Sequence, residues 1–311
     1  MKRFLRNCTA VLLAVAALLW AGGALYRHTT AYKNLERTEE TDKYDAMPDK
    51  ISFAVFGSSH GRDAFQAADY GEGFFNFSMS SQTPQYDLMQ LRQFGSRIQP
   101  GATVILTVSY MSPFWQDTQE QFEEKQERYY RILAPQNIVD CDFGHWVLDR
   151  WSPLLTTGAD DVIAALLHPA ELRADTNAIY GHQVLTPDVL ADETLRIHEN
   201  HLPIMEKTMP DGNPVMLEAY RGILSLCEKN GWHAVLVTPP YADAYTECFP
   251  PEDLSRFRTL VSRLSEEGGV PWLDYSQDSR FSSDYTLFKN IDHLNLVGAE
   301  KFAQILRQQL P

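Results

Sequence analysis

The stretch Ile51-Ser52-Phe53-Ala54-Val55-Phe56, followed at once by Gly57-Ser58-Ser59-His60-Gly61, decides the fold. A short apolar run that stops at a glycine is typical of a strand buried on both faces of a parallel sheet. The serines after it predict a strand-to-helix turn that exposes a nucleophilic hydroxyl. Asp292-His293-Leu294-Asn295, near the other end, supplies an acid and a histidine to activate that hydroxyl. The order Ser, Asp, His predicts acyl-serine chemistry at Ser59 and His293.

After residue 50, short apolar runs alternate with amphipathic helical stretches. This pattern predicts an α/β fold, a three-layer sandwich around a central, mostly parallel sheet. The predicted strands are Ile51–Phe56, Phe74–Phe77, Thr103–Val108, His233–Thr238 and Val270–Leu273. The predicted helices are Gln85–Ile98, Met216–Cys227 (stopped by Asn230-Gly231), Leu254–Leu264 (ended by Gly268-Gly269) and Val297–Leu310. Residues 111–213 break the alternation, and we expect a largely helical insertion at the carboxyl edge of the sheet, where such folds form their ligand crevice.

The N-terminus carries a 19-residue run without charge, Cys8–Tyr26, which as a helix is long enough to cross a membrane. Three basic residues precede it and predict a cytoplasmic N-terminus with an exported remainder: Lys2, Arg3 and Arg6. One interpretation is a retained single-pass anchor over residues 1–26 in a bacterial cell membrane, then a polar stalk over 27–49 and a domain over 50–311. The other is a signal peptide cleaved near Ala21-Gly22-Gly23-Ala24, which would release a secreted protein. We favour the anchor because the apolar run exceeds the 7–15 residues usual for a signal peptide.

The charge of the chain excludes one class of partner. The formal net charge is −14, from 27 basic and 41 acidic residues. Such a surface repels phosphates, so we predict no nucleic-acid binding.

Metal binding is not indicated by the cysteines or histidines. Cys141, Cys227 and Cys248 are an odd number outside the apolar run and match no metal motif. His198, Glu199 and His201 fit no ligand spacing and are predicted to lie on a solvated helix face. We therefore expect neither a metal nor an organic cofactor. His60, next to Ser59, is predicted to point away from it and to touch solvent or substrate.

The literal Gly-x-Ser-x-Gly pattern also occurs in α/β-hydrolases, but its position argues against that fold. There, several strands and an oxyanion loop rich in His and Gly precede the nucleophile. Here Ser59 follows the first predicted strand, which leaves no room for them.

An early serine with a histidine ahead of the last helix resembles the SGNH/GDSL hydrolase superfamily. Gly57-Ser58-Ser59 is similar to the family's Gly-Asp-Ser block, which makes Ser59 the nucleophile. The segment from Asn76 to Thr83 resembles the second block, Asn-x-Gly-x-Ser-Gly-x-Thr, with Ser78 and Ser81 in place of glycines. The resemblance implies that the backbone N–H of Ser81 serves the oxyanion hole, as a main-chain donor can from any residue. Asp292-His293-Leu294-Asn295 with Gly298 resembles the last block.

The resemblance is closest to membrane-anchored members that act on envelope polymers, namely the D-alanine transfer protein of teichoic acids and polysaccharide O-acetylation proteins. It spans residues 50–109 and 214–310. It implies a membrane-tethered, extracytoplasmic serine O-acyltransferase or esterase that acts on acyl esters of cell-envelope polysaccharide. The implied partners are the glycan substrate and a multi-spanning membrane acyl exporter.

Two departures from the family pattern concern the site. Thr107-Val108-Ser109-Tyr110 stands where the family has Gly-x-Asn-Asp, so Ser109 is expected at the position of an oxyanion donor. The residue three before the histidine, an Asp in the family, is Asn290. Neighbours on an extended backbone point to opposite faces, so Asp292 can orient His293 only if the chain turns there. We predict Asp292 as the acid, with Asn290 or a bare Ser-His dyad as alternatives. The predicted oxyanion and substrate-binding residues are Asn76, Ser81 and Ser109.

Structural interpretations compete with these roles. Ser59 could cap the helix beginning near Gly61. His293 could be a structural histidine ahead of a helix, and Asp292 could cap the turn there. A chain that kept the fold without the chemistry would be a polysaccharide-binding or assembly subunit. A soluble, secreted carbohydrate esterase is the third alternative.

Overall fold

The computed structural model describes residues 1–33, 40–117, 119–158, 160, 162–163, 167, 181–206 and 211–310. The chain divides into two compact units. One comprises Met1–Ala46 with Phe122–Ala174, and the other Met47–Gln121 with Asp175–Pro311. Each is described by itself below.

The strands are β1 (Ile51–Phe56), β2 (Phe74–Asn76), β3 (Ile98–Thr107), β4 (His233–Thr238), β5 (Trp272–Asp274), β6 (Phe288–Asn290) and β7 (His293–Leu294). The α-helices are α1 (Lys2–Arg27), α2 (Thr30–Lys33), α3 (Ser59–Ala64), α4 (Ala67–Tyr70), α5 (Pro84–Phe94), α6 (Gln119–Ile132), α7 (Phe143–Trp151), α8 (Leu190–Asn200), α9 (Leu202–Glu206), α10 (Pro214–Asn230), α11 (Asp243–Thr246), α12 (Pro251–Gly268) and α13 (Leu296–Leu306). Short 3₁₀ helices cover Asp42–Ala46, Gly95–Arg97, Ser112–Phe114, Pro135–Asn137, Pro153–Leu155, Pro187–Val189 and Tyr285–Leu287.

The second unit is built on a parallel sheet of five strands in the order β2-β1-β3-β4-β5. The strands are buried on both faces, which explains why they read as continuous apolar runs. Helices flank the sheet, so the predicted α/β fold with a central parallel sheet is confirmed. The strand order reverses between β1 and β3, and the crevice at such a switch point is where open α/β sheets bind ligands.

The ends of the predicted elements shift by a few residues. β1 and β4 have the predicted bounds, whereas β3 begins five residues early, at Ile98. The prediction that Ile98 continues the preceding helix is wrong. That helix, α5, ends at Phe94, and Ile98 pairs with Ile51 before an irregularity in the β1–β3 register. Gly231 and Gly269 adopt the left-handed conformation directly after α10 and α12. These glycines were predicted to end the two helices.

Between β3 and β4 the described residues include helices α6 to α9, which lie within the stretch where a helical insertion was expected. The predicted domain boundaries at residues 26 and 49 remain predictions.

The first unit contains α1, which is long and apolar enough to serve as a membrane anchor or as a signal sequence. Its last turns contact the end of α7 and the residue that follows it. The Ser152 hydroxyl donates to the Leu19 carbonyl at 2.8 Å, and the Arg27 guanidinium donates to the Arg150 carbonyl at 2.6 Å. Tyr26 packs edge-on against Tyr32 of α2, with ring centroids 5.3 Å apart.

Candidate active site

The candidate nucleophile lies at the carboxyl end of β1, where the sheet order reverses. Gly57 has a φ of +140°, and a Cβ there would lie 1.7 Å from the Thr107 Oγ1 of β3. Only glycine satisfies both constraints, because it tolerates a positive φ and has no side chain. The turn it makes starts α3 at Ser59 itself, with Ser58 as the preceding cap residue. Capping therefore does not account for Ser59.

The candidate base lies on a small antiparallel hairpin, in which Asn290 of β6 pairs with His293 of β7. Ile291 and Asp292 form the connection between the two strands. Asn295 holds this hairpin on α13, because its Oδ1 accepts from the Gly298 N–H at 2.9 Å and its Nδ2 donates to the Thr286 carbonyl at 2.8 Å. The cap of α13 is therefore Asn295.

The hairpin and the β1 turn meet at the two predicted residues. The Nε2 of His293 lies 2.8 Å from the Oγ of Ser59, across 234 positions of sequence. This is the hydrogen-bonding distance that a general base needs to take the serine proton.

Both candidate orienting residues lie against the other ring nitrogen of His293. The Oδ1 of Asn290 is 3.0 Å from Nδ1 and also accepts the His293 backbone N–H at 2.9 Å. The Oδ1 of Asp292 is 3.2 Å from Nδ1. Asp292 reaches the ring although it neighbours His293 because the chain turns in the hairpin, which is the condition set by the sequence.

Asp292 is buried, and burial alone would raise the pKa of its carboxyl. The charge and hydrogen bond of His293, with the hydrogen bond of His60, instead hold that pKa well below its usual range. The Arg196 guanidinium of α8 also hydrogen-bonds Asp292 and is its counter-ion. The carboxylate thus stays ionised at neutral pH beside the imidazole.

His60 is part of this cluster, so the prediction that it touches solvent is wrong: it is 3% exposed. Its Nε2 lies 3.1 Å from the Oδ2 of Asp292, and its ring stacks on His293 with centroids 4.7 Å apart. Burial lowers the pKa of His60, and the hydrogen bond to Asp292 offsets this only in part. The ring is therefore neutral and donates its Nε2–H to the carboxylate. The stacked His60 ring packs against one face of the His293 imidazole and limits its movement.

His201 also departs from its prediction. His198 and Glu199 are exposed, as a solvated helix face requires, but the side chain of His201 is largely buried. Its Nδ1 is 3.2 Å from the Tyr245 hydroxyl and 4.0 Å from Asp292 Oδ2. Burial, against the attraction of Asp292, lowers the pKa of His201 to about 3, so this ring is neutral as well.

A second buried carboxylate, Asp63, lies one helical turn after Ser59. It pairs with Lys289 of β6 at 2.8 Å and with Arg62 at 3.0 Å. Burial would raise the pKa of Asp63, but the charges of Arg62, His293 and Lys289 outweigh it and lower the pKa to about 2. The pair ties α3 to the hairpin and so holds Ser59 near His293.

The three predicted oxyanion and substrate residues have separate surroundings. Asn76 donates to the carbonyls of Gly61 and Phe65 at 3.0 and 2.9 Å, which ties β2 to α3. Ser81 adopts a φ of +51°, the left-handed conformation suited to the glycine that the family has there. The Ser109 hydroxyl is buried 2.6 Å from the Ser112 hydroxyl. Their predicted role at an oxyanion remains a prediction.

Among the described residues, His60, Asp292 and His293 offer donor atoms within 4.8 Å of one another and could hold a metal ion. Two features of the cluster disfavour a cation. Arg196 already places a positive charge on Asp292, and His293 Nε2 already bonds Ser59. The donor set fits a hydrogen-bonded catalytic array better than a metal centre.

Sequence reasoning missed three residues of this site, Asp63, Arg196 and Lys289, and placed a fourth, His201, on a solvated helix face. Asp63 had a usable signal, because it lies four positions after Ser59 and shares its helix face. Arg196, Lys289 and the buried position of His201 had no such signal, since only the folded chain brings these side chains to Asp292 or Asp63.

Comparisons with known proteins add little to this geometry. No family model matches the chain, and no curated protein matches it. The fold is similar to the crystal structure of protein YxiM from Bacillus subtilis, at 15% sequence identity and a TM-score of 0.37. The likeness covers 83% of this chain and 55% of that one, so the chain spans about half the length of this neighbour.

Proposed function

We propose that this protein is a membrane-tethered, extracytoplasmic serine O-acyltransferase or esterase that acts on acyl esters of cell-envelope polysaccharide. The observation that carries the proposal is the 2.8 Å contact between Ser59 Oγ and His293 Nε2. The buried, ionised Asp292 and the amide of Asn290 behind the ring support it, because both stabilise an imidazole that gains a proton.

The proposed reaction runs through an acyl-serine. His293 takes the Ser59 proton as Ser59 Oγ attacks the acyl carbonyl, and the ester C–O bond breaks as His293 returns the proton to the leaving alcohol. A glycan hydroxyl or water then attacks the acyl carbonyl and gives its proton to His293. The bond from the acyl carbon to Ser59 Oγ breaks as His293 passes that proton to the serine oxygen, which leaves the free serine and an acylated glycan or a free acid. The backbone N–H of Ser59, which starts a helix and so has no acceptor within it, suits the developing oxyanion, with Ser81 as the second donor.

Transfer to an envelope glycan is supported by the family resemblance and by α1, which would tether the chain to the membrane. A multi-spanning acyl exporter in the same membrane would supply the acyl group. No metal or organic cofactor has a step in this chemistry.

The experiment compares wild-type and Ser59→Ala full-length chains with p-nitrophenyl acetate and with a fluorophosphonate probe. We expect wild type to release p-nitrophenol and to be labelled at Ser59, and the variant to do neither. Adding an oligosaccharide acceptor distinguishes transfer from hydrolysis, because a transferase forms acylated glycan and correspondingly less free acid. Wild-type turnover by the Ser59→Ala chain would exclude the proposal.

A polysaccharide-binding subunit without catalysis is the second candidate. It is favoured by the surroundings of Ser109, whose hydroxyl bonds Ser112 at the position where the family has an oxyanion donor. Folded wild-type protein that the probe leaves unlabelled but that binds glycan would support it. A soluble esterase instead requires cleavage near Ala21-Gly22-Gly23-Ala24, within α1, which intact-mass measurement of the purified chain detects as loss of the apolar segment.

A further inference from the structure

Helix α7 in the first unit turns its apolar side outward. Phe143 is 62% exposed, Val147 and Leu148 are each 40% exposed, and Trp151 is half-buried. At 100° per residue these four side chains share one side of the helix. Leu155, in the 3₁₀ turn that follows, is 42% exposed and extends the apolar surface.

Two polar residues of α7, Asp149 and His145, face the interior of the unit instead. Arg150 is exposed, and its guanidinium donates to the Tyr130 and Leu133 carbonyls at 3.2 and 3.0 Å. Asp149 is buried and accepts from the Thr156 hydroxyl at 2.9 Å. The His145 ring packs on Tyr130, with centroids 4.8 Å apart. Helices at the surface of a water-soluble domain have the reverse arrangement, with apolar residues inside. The outer side of α7 is therefore largely apolar, whereas its inner side carries polar groups. This arrangement indicates that the outer side contacts something other than water.

The end of α7 and the residue after it contact α1. Ser152 bonds the Leu19 carbonyl of α1, and Arg27 at the end of α1 bonds the Arg150 carbonyl. The approach is close, since a Cβ on Gly23 would lie 2.5 Å from Ser152 Oγ. α7 is therefore fixed beside the last two turns of α1.

The length of α1 sets the depth of those turns. Its 26 residues span about 39 Å, whereas the hydrocarbon core is about 30 Å thick, so about six residues extend beyond it. The N-terminal charges keep the first turn, about four residues, in the opposite headgroup region, which leaves about two residues, Tyr26 and Arg27, beyond the core on the far side. Leu19 to Leu25 then lie within the outer leaflet and approach its interface.

We propose that α7 is an interfacial membrane helix, whose face of Phe143, Val147, Leu148 and Trp151 enters the outer leaflet of the bilayer that α1 crosses. Helices of this kind lie in the interface plane with the apolar face below the headgroups. α7 and α1 would give the first unit two contacts with one membrane and so fix its orientation, which a single spanning helix cannot do. The proposal rests on α1 being retained as an anchor and not on the chemistry at Ser59.

The experiment places the environment-sensitive dye NBD on single cysteines in the full-length chain. Cys8→Ser and Cys141→Ala leave the two buried native thiols, and the dye is attached in turn to Leu13→Cys, Val147→Cys and Val215→Cys. All three positions are exposed, so the label leaves packing intact. Each chain is reconstituted into vesicles of phosphatidylethanolamine and phosphatidylglycerol, with or without brominated acyl chains that quench NBD on contact.

We expect strong quenching at Leu13 in α1, at least half that quenching at Val147, and none at Val215 in the second unit. Quenching at Leu13 with Val147 as unquenched as Val215 overturns the interfacial helix alone, and the apolar face then belongs to a protein partner. An unquenched Leu13 overturns the anchor and the interfacial helix together. Esterase activity is measured on the same samples, so a failure of the proposed chemistry is separately visible.

Discussion

Replacing Asp292 by Asn tests whether the charge behind His293 drives the reaction. The carboxylate oxygen lies 3.2 Å from Nδ1. Two unit charges at that separation attract by roughly 5 kcal/mol at an effective dielectric constant near 20. Asp292→Asn removes this attraction when His293 gains the serine proton and leaves the Arg196 cation facing the imidazolium. Each 1.36 kcal/mol is tenfold in rate, so we expect kcat/KM to fall by between three and four orders of magnitude.

The matched control is Asn290→Ala, which removes the neutral hydrogen bond of 3.0 Å to the same nitrogen, together with the one that Asn290 accepts from the His293 backbone N–H. Such a bond contributes about 1 kcal/mol, so we expect a loss of about fivefold to tenfold. The assay is p-nitrophenyl acetate hydrolysis by full-length protein, with the Ser59→Ala rate subtracted and thermal unfolding confirming that both variants fold. If folded Asp292→Asn stays within tenfold of wild type, the electrostatic reasoning is refuted. A thousandfold loss in Asn290→Ala alone would instead make Asn290 the orienting residue.

Three further predictions concern the frame around the site. Gly57→Ala combines a strained positive φ with a Cβ 1.7 Å from Thr107 Oγ1. It should therefore lower the free energy of unfolding by at least about 2 kcal/mol in denaturant titrations and abolish labelling by the fluorophosphonate probe. An unchanged unfolding midpoint would contradict this. Lys289→Met removes one of the two cations that pair with Asp63. We expect the free energy of unfolding to fall by about 2 kcal/mol and acylation to slow in stopped-flow assays. Wild-type values for both would show that the pair does not hold Ser59 near His293. Asp87 is buried beneath the β1 turn, and burial raises the pKa of its carboxyl from 3.8 to about 7. Between these two values the folded state binds a proton that the unfolded chain has lost. The stability that this proton contributes is present at low pH and is lost as pH rises from about 4 to 7. Asp87→Asn should therefore show a flatter dependence of Tm on pH across that window than wild type, and parallel curves would refute the assignment.

The sequence alone determined the α/β fold and the two residues that meet. Continuous apolar strands, glycine-ended helices and a strand that breaks at Gly57 are local patterns, and local patterns report the secondary structure they produce. The serine and histidine were recognisable because each stands in a motif whose chemistry requires that residue type. The 19-residue uncharged run predicted the long apolar helix for the same reason.

Only the tertiary structure decided what surrounds those residues. The hairpin turn brings Asp292 beside His293, which the alternation of an extended strand would forbid. His60, Arg196 and His201 join the same carboxylate from segments far apart in sequence, and burial then sets which of the rings stay neutral. The sequence also did not predict that the apolar face of α7 is turned outward, because an amphipathic pattern does not say which side of a helix faces outward. Electrostatics and burial depend on every group within a few ångströms, and that neighbourhood exists only once the chain has folded.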